Sequence, residues 1–302
     1  MIIETNDLCK TYGRVQVLKD INLQVPEGAA FALVGTNGAG KTTTMRTLVN
    51  ILQPDTGSAS VLGVDSRKLK STHFQHIGYV SENQVLPERL TIEQYFNYLR
   101  RLYPGWDRGL ETMLRKRMDL PATRGLSKLS HGMRMKTVLI AGIAFRPRLL
   151  ILDEPLSGMD TLTRDEVVDG LLEQADETTI LISSHELAEI EYFTSHIAFM
   201  DDGRLSFQES IESLRDRFRE VYVTLSENKS WPANAPSTWL APTIQGHSLQ
   251  FIETQFKDSE VLQAQLAEHF GAVQIEASPM SLREISKVLI RQARDEKQRE
   301  AA

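Results

Sequence analysis

Gly35-Thr36-Asn37-Gly38-Ala39-Gly40-Lys41-Thr42-Thr43 decides how the rest of this chain is read. An apolar run, Ala29 to Val34, precedes it and reads as a buried strand. Met45, Leu48, Val49 and Leu52 follow at the spacing of an apolar helix stripe. Strand, glycine-rich turn and helix form the setting of a phosphate-binding P-loop. Gly35, Gly38 and Gly40 are expected to take positive φ and to let the backbone approach a ligand. Amides from Gly38 to Thr43, with Asn37 and Ala39 in the same loop, would converge on a polyphosphate at the positive end of the helix. Lys41 reaches the β- and γ-phosphates, and the Thr42 hydroxyl completes the oxygen shell of Mg²⁺. Every fixed position of the pattern is present, which outweighs the plainer reading of a glycine-rich turn with a solvated lysine.

A second chemical signal is Leu149-Leu150-Ile151-Leu152-Asp153-Glu154-Pro155. Four apolar residues in a row suit a central parallel strand, and two carboxylates fall at its C-terminal end, where α/β sheets place ligands. One acid closing a strand is commonplace; an Asp-Glu pair in a chain that already carries a P-loop is not. The run Thr179 to Ser183 reads as a further buried strand with His185 directly after it. That setting lifts His185 above an ordinary packed histidine. Leu129-Ser130-His131-Gly132-Met133 precedes a helix expected from about Arg134 to Phe145, so Ser130 and Gly132 sit where a helix N-terminus can meet an anion. Tyr12, beside Gly13, could offer an aromatic face to a base, although alone it reads as a packed tyrosine.

The 302 residues leave room for one large domain and one small one. A net charge of −6 disfavours non-specific nucleic-acid binding. The single cysteine, Cys9, excludes an internal disulfide and a cysteine-rich zinc site. The N-terminus lacks the pattern of a signal peptide, and no apolar run approaches the ~18 residues a spanning helix needs. Any membrane role is expected to come through a partner.

Alternation in Ile21, Leu23 and Val25 predicts an early strand, Ser58 to Gly63 a short one, and Ile77 to Val80 another. Residues 91–145 read as mostly helical, with a break at Tyr103 to Asp107. Ile197 to Phe207 reads as a hairpin around Asp201-Asp202-Gly203, and a helix to about Arg219 closes the first domain. Val221, Val223 and Leu225 then alternate as a strand, followed by a linker with Pro232, Pro236 and Pro242. A strand at Leu249 to Ile252, a helix over 258–270, a strand at Val273 and Ile275, and a helix opened by the Ser281/Glu284 capping box complete the chain. The expected fold is an α/β P-loop NTPase domain over 1–220, with a β-rich N-terminal subdomain and a helical subdomain at about 91–145. A small α+β C-terminal domain follows over 221–293, then a charged tail over 294–302.

Taken in order, these stretches resemble the ATP-binding subunit of an ABC transporter over about residues 1–218. On that resemblance Tyr12 looks like the aromatic that stacks on adenine, and Gly35 to Thr43 is the Walker A loop. Glu82 stands at the Q-loop position, with Gln84 as the alternative. Ser130 to Gly132 is the signature loop, Asp153 the Walker B aspartate and Glu154 the catalytic carboxylate. Asp160 is the D-loop aspartate and His185 the switch histidine. The resemblance implies ATP and Mg²⁺ as cofactors, with Thr42, Asp153 and Glu82 on the metal side. It also implies a second ATP-binding subunit, a copy or a related chain, paired head to tail, and a separate membrane-spanning permease at the cytoplasmic face of a membrane. The C-terminal part, with Pro279-Met280-Ser281-Leu282, is similar to the extension of drug- and bacitracin-type exporters, making export the expected direction. No nucleic-acid partner is expected. Two departures stand out: glutamate replaces the usual Q-loop glutamine, and Leu-Ser-His-Gly-Met replaces Leu-Ser-Gly-Gly-Gln. They keep a non-hydrolysing regulator in view as a rival. A soluble relative acting on DNA or the ribosome fits less well, because there is no long insertion between the Walker motifs and only one P-loop.

Overall fold

The computed structural model describes residues 1–172, 178–185, 187, 190–227, 229–271 and 274–301. They fall into two compact units, Met1–Gln208 and Glu209–Ala302. In the first, β1 (Ile3–Tyr12), β2 (Val15–Ile21) and β3 (Gln24–Val25) precede β4 (Ala30–Gly35) and the P-loop helix α1 (Lys41–Leu48). Next come β5 (Thr56–Val61), β6 (Val64–Asp65), α2 (Ser71–Phe74) and β7 (Ile77–Ser81). The helical stretch holds α3 (Ile92–Leu102), α4 (Arg108–Arg117) and α5 (His131–Ile143). Then follow β8 (Leu149–Asp153), α6 (Thr161–Leu172), β9 (Thr179–Ser184), β10 (His196–Asp201) and β11 (Arg204–Ser210).

Two sheets result. One runs β2-β1-β5-β6 with β3 on β1, and the other runs β11-β10-β4-β9-β8-β7. In the second, β10, β4, β9, β8 and β7 pair in parallel. All residues of β4, β8 and β9 are buried, which is why they carry uninterrupted apolar runs, at 30–34, 149–152 and 180–182, without alternation. Parallel pairing brings their C-terminal ends to one edge, where Val34 pairs with Ser184 and Ser183 with Asp153. Site residues far apart in sequence therefore meet at that edge.

In the second unit, α7 (Ile211–Arg217), β12 (Arg219–Thr224), β13 (Trp239–Gln245), β14 (Ser248–Glu253), α8 (Ser259–Phe270), β15 (Gln274–Pro279) and α9 (Leu282–Ala301) form a sheet ordered β13-β14-β12-β15 with helices. Val221, Val223, Trp239, Leu249, Phe251, Leu266 and Phe270 make its core.

Several expectations need adjustment. The P-loop helix ends at Leu48, with Asn50 at φ +56°, so Val49 and Leu52 lie beyond it. Contacts divide the chain between Gln208 and Glu209, ahead of the expected boundary near 220. Helix α7 belongs to the second unit because Arg217 donates to Glu209 at 2.6 Å and to the Thr254 carbonyl at 2.7 Å. The segment read as a proline linker contains β13, with Pro242 inside it. As the edge strand of its sheet, β13 tolerates a missing N–H, and a register shift between Leu240 and Thr243 with Ala241 at φ +50° accommodates the ring. The signature-region helix starts at His131, three residues earlier than expected. The stretch read as a charged tail is helical to Ala301. The predicted strand residue Val273 lies outside the described residues.

Candidate nucleotide site

The P-loop wraps the N-terminus of α1. Gly38 and Gly40 take φ +82° and +106°, a region closed to most side chains. Gly35 has a different reason to be glycine, which corrects the expectation of positive φ there. It is paired with Met200 of β10, and a Cβ on it would stand 2.0 Å from the Met200 carbonyl oxygen. Asn37, Gly38, Ala39, Gly40, Lys41, Thr42 and Thr43 line a cleft of ≈ 490 Å³, joined by Glu82, Glu154 and His185, and by Val17 and Ser157.

Lys41 is 5% exposed. Its Nζ donates to the Gly35 carbonyl at 2.8 Å and the Thr36 carbonyl at 3.2 Å, and pairs with Glu154 Oε1 at 3.1 Å. Glu154 Oε2 accepts from His185 Nδ1 at 3.0 Å. A carboxylate has no proton to give, so Nδ1 carries the hydrogen and Nε2 is left for another partner. Glu154 is thus held from both oxygens, by the P-loop and by the residue that directly follows β9. Its backbone takes φ +50°, uncommon for a non-glycine residue.

Behind it, Asp153 is 4% exposed. Its Oδ1 accepts from Thr42 Oγ1 at 2.9 Å and Ser183 Oγ at 3.0 Å. Burial pushes the Asp153 carboxyl above the ordinary carboxylate range; the two hydroxyls oppose the rise and the neighbouring Glu154 adds to it. A cation beside Asp153 would relieve that cost. Thr42, Asp153 and Glu82 offer oxygen donors only, and no group of three or more His, Cys, Asp or Glu able to hold a metal occurs among the described residues. A cation here would complete its shell from phosphate and water, the habit of Mg²⁺. The donor set fits that ion.

Glu82 N donates to the Asp153 carbonyl at 3.1 Å, which places this acid at the cleft. Gln84, the alternative, does not line it, and its Oε1 is buried. Ser130, Gly132 and Asp160 are likewise not among the lining residues. Gly132 and Asp160 both meet Thr163 in the first turn of α6. Ser130 caps α5, accepting from Met133 N at 3.3 Å. A Cβ on Gly132 would stand 2.8 Å from Thr163 Cγ2. Asp160 accepts from Thr163 N at 3.0 Å and Oγ1 at 2.8 Å, and these bonds hold its carboxyl below the ordinary value. Tyr12 is 46% exposed, with the Lys10 ammonium 5.9 Å over its ring, and it too lies off the cleft lining.

Reading the sequence missed Val17, Ser157 and Ser183. Ser157 falls in the Leu156 to Asp160 loop, and only its nearness to Glu154 hinted at it. Val17 and Ser183 carried no local signal.

A family model described as ABC transporter matches residues 18–157. ABC transporter ATP-binding protein YtrB of Bacillus subtilis (strain 168) is 33% identical over 224 residues, covering 74% of this chain and 76% of that protein. Bacitracin transport ATP-binding protein BcrA of Enterococcus faecalis is 34% identical over 223 residues, covering 72% of each. Among solved structures, one described as the ATP binding subunit of an ABC transporter matches with TM-score 0.65 and 27% identity, over 71% of this chain and 92% of that one. The dimeric bacterial ABC transporter cassette MJ0796 shares the fold at TM-score 0.62 and 22% identity, over 69% and 98%. The P-loop, the acidic pair and these likenesses agree, and the chain belongs to the ABC transporter family as one of its ATP-binding, ATP-hydrolysing proteins.

Proposed function

We propose that this chain hydrolyses ATP to drive a separate membrane-spanning permease, at the cytoplasmic face of a membrane and in the direction of export. The observation that carries the chemistry is the double hold on Glu154, by Lys41 at 3.1 Å and His185 at 3.0 Å, beside the Thr42–Asp153 contact at 2.9 Å. Phosphoryl transfer to water asks a protein mainly to position the water and neutralise phosphate oxygens. Glu154 accepts a hydrogen bond from the attacking water and orients it. Lys41 and the loop amides from Gly38 to Thr43 donate to the β- and γ-phosphates. His185 keeps Glu154 in place through its Nδ1–H and, when Nε2 also carries a hydrogen, donates from it to a phosphate oxygen. Thr42, Asp153 and Glu82 would hold Mg²⁺ on its protein side, and when bound with the nucleotide it would supply charge neutralisation to the phosphates.

Ser130, Gly132 and Asp160 lie off this cleft, which supports a working unit of two ATP-binding chains. In that unit the signature loop of one chain covers the nucleotide held by the other. Export is supported by the likeness to the bacitracin transport protein and to daunorubicin/doxorubicin resistance ATP-binding protein DrrA of Streptomyces peucetius, 33% identical over 67% of this chain and 63% of that protein. No helix among the described residues is long and apolar enough to cross a membrane, so the pathway itself is assigned to the partner. The test is Glu154→Gln. It should keep ATP binding and lose about 10²–10⁴-fold in turnover, and near-normal hydrolysis would remove Glu154 from the mechanism.

A further inference from the structure

Beyond the motifs, one fully buried hydroxyl touches both carboxylate-bearing residues. Ser183 lies near the end of β9, 0% exposed, and the parallel register of β8 and β9 sets it directly across from Asp153. Its Oγ donates to Asp153 Oδ1 at 3.0 Å and accepts from the Glu154 backbone N at 2.9 Å. A serine hydroxyl has one hydrogen to give and lone pairs to receive, so both bonds form at once and neither competes with the other.

Each bond has a consequence. With Thr42 and Ser183 both donating to Oδ1, the plane of the Asp153 carboxylate is set from two elements, α1 and β9. Oδ2 is the oxygen left to face a cation. The second bond fixes the N–H of a residue at φ +50°. Left-handed backbone at a non-glycine position persists where its surroundings determine it, and the Ser183 oxygen is the partner that the Glu154 N–H finds there. The side chain of Glu154 leaves the backbone from that conformation toward Lys41 and His185.

We propose that Ser183 is a positioning residue for ATP hydrolysis, one hydroxyl setting both the metal-facing carboxylate of Asp153 and the backbone from which Glu154 reaches the attacking water. The inference rests on the roles given above to Asp153 and Glu154. It assigns no contact between Ser183 and the nucleotide, so its effect should appear in Mg²⁺ response and turnover and should spare metal-free ATP affinity.

The experiment compares Ser183→Ala, Ser183→Cys and Ser183→Thr in the full chain. Nucleotide binding is titrated calorimetrically with ATP alone and with ATP plus Mg²⁺, and steady-state hydrolysis is measured against Mg²⁺ concentration. Ser183→Ala should lower kcat by about 10–100-fold with little change in KM. It should leave ATP binding in EDTA unchanged and reduce the gain in affinity that Mg²⁺ brings. Ser183→Thr, which keeps a hydroxyl, should restore both. Ser183→Cys fills similar space with a weak donor and carries the same test if the alanine variant is unstable. A folded Ser183→Ala or Ser183→Cys protein with wild-type kcat and Mg²⁺ response overturns the proposal. So does a loss of metal-free ATP binding equal to the loss with Mg²⁺, which would mark a general structural defect. Glu154→Gln run in parallel separates the two ideas. If it hydrolyses normally, the catalytic reading itself fails; if it is inactive while Ser183→Ala is normal, only the role of Ser183 fails.

Discussion

The Nε2 of His131 lies 2.9 Å from the carbonyl oxygen of Ser157. A carbonyl can only accept, so the ring donates. His131 stands where the family usually has glycine, between Ser130 and Gly132, and Ser157 lines the nucleotide cleft. The residue that departs from the pattern therefore ties the start of α5 to the loop following Glu154. The next residue, Gly158, is at φ +67°, and a Cβ on it would stand 3.6 Å from the same ring nitrogen.

His131→Gly should free that loop. A typical hydrogen bond is worth about 0.5–1.5 kcal/mol, which corresponds to roughly 2–13-fold faster amide exchange around Ser157 to Asp160. Hydrogen-exchange mass spectrometry on the two proteins measures it. Unchanged exchange would show that the contact contributes nothing to the loop.

At the Q-loop position, Glu82 lines the cleft and Gln84 does not. Glu82→Ala should alter the Mg²⁺ dependence of hydrolysis, and Gln84→Ala should leave it alone. Mg²⁺ titrations of the two variants decide between the positions, and the reverse pattern would move the role by two residues.

For the paired arrangement, two inactive variants, Lys41→Ala and Ser130→Arg, can be mixed. If two copies share their sites, the mixed dimer holds one site with both defects and one with neither, and activity should partly return. A mixture that stays inactive while mixed dimers form would count against shared sites between two copies of this chain.

In the helical segment, Arg100 donates to both Glu111 oxygens at 2.6 Å and to Glu93 at 3.0 Å. Arg115 donates to Glu93 at 2.7 Å, and Trp106 Nε1 to Glu111 at 2.9 Å. Glu111 is fully buried. Glu111→Ala would leave Arg100 without its main partner and should cost on the order of 3 kcal/mol in denaturant unfolding. Burial pushes the Glu93 carboxyl up, but Arg100 and Arg115 outweigh it and hold it below its ordinary 4.5. A depressed acid stabilises the fold above its ordinary value, and the contribution is lost as pH falls through the folded value. The stability gap between wild type and Glu93→Gln should therefore be open at neutral pH and close in acid. Thermal unfolding across pH tests the sign.

Much of this molecule is written locally. A P-loop needs glycines where φ is positive, a lysine and a hydroxyl, all within nine consecutive residues, so Gly38, Gly40, Lys41 and Thr42 were legible from spacing alone. The buried strands were legible too, because a parallel strand covered on both faces has to be continuously apolar. Asp153, Glu154 and His185 could be found as strand-end residues by the same logic. What spacing cannot carry is which strand lies beside which and in what register. That pairing puts Ser183 across from Asp153, brings Lys41 and His185 to opposite oxygens of Glu154, and turns Gly35 from a flexible turn residue into a site of close strand contact. It also makes room for Pro242 in a strand, since an edge position asks no N–H of it. Backbone geometry within a few residues follows from side-chain type, whereas contacts across the sheet follow from packing the whole chain at once.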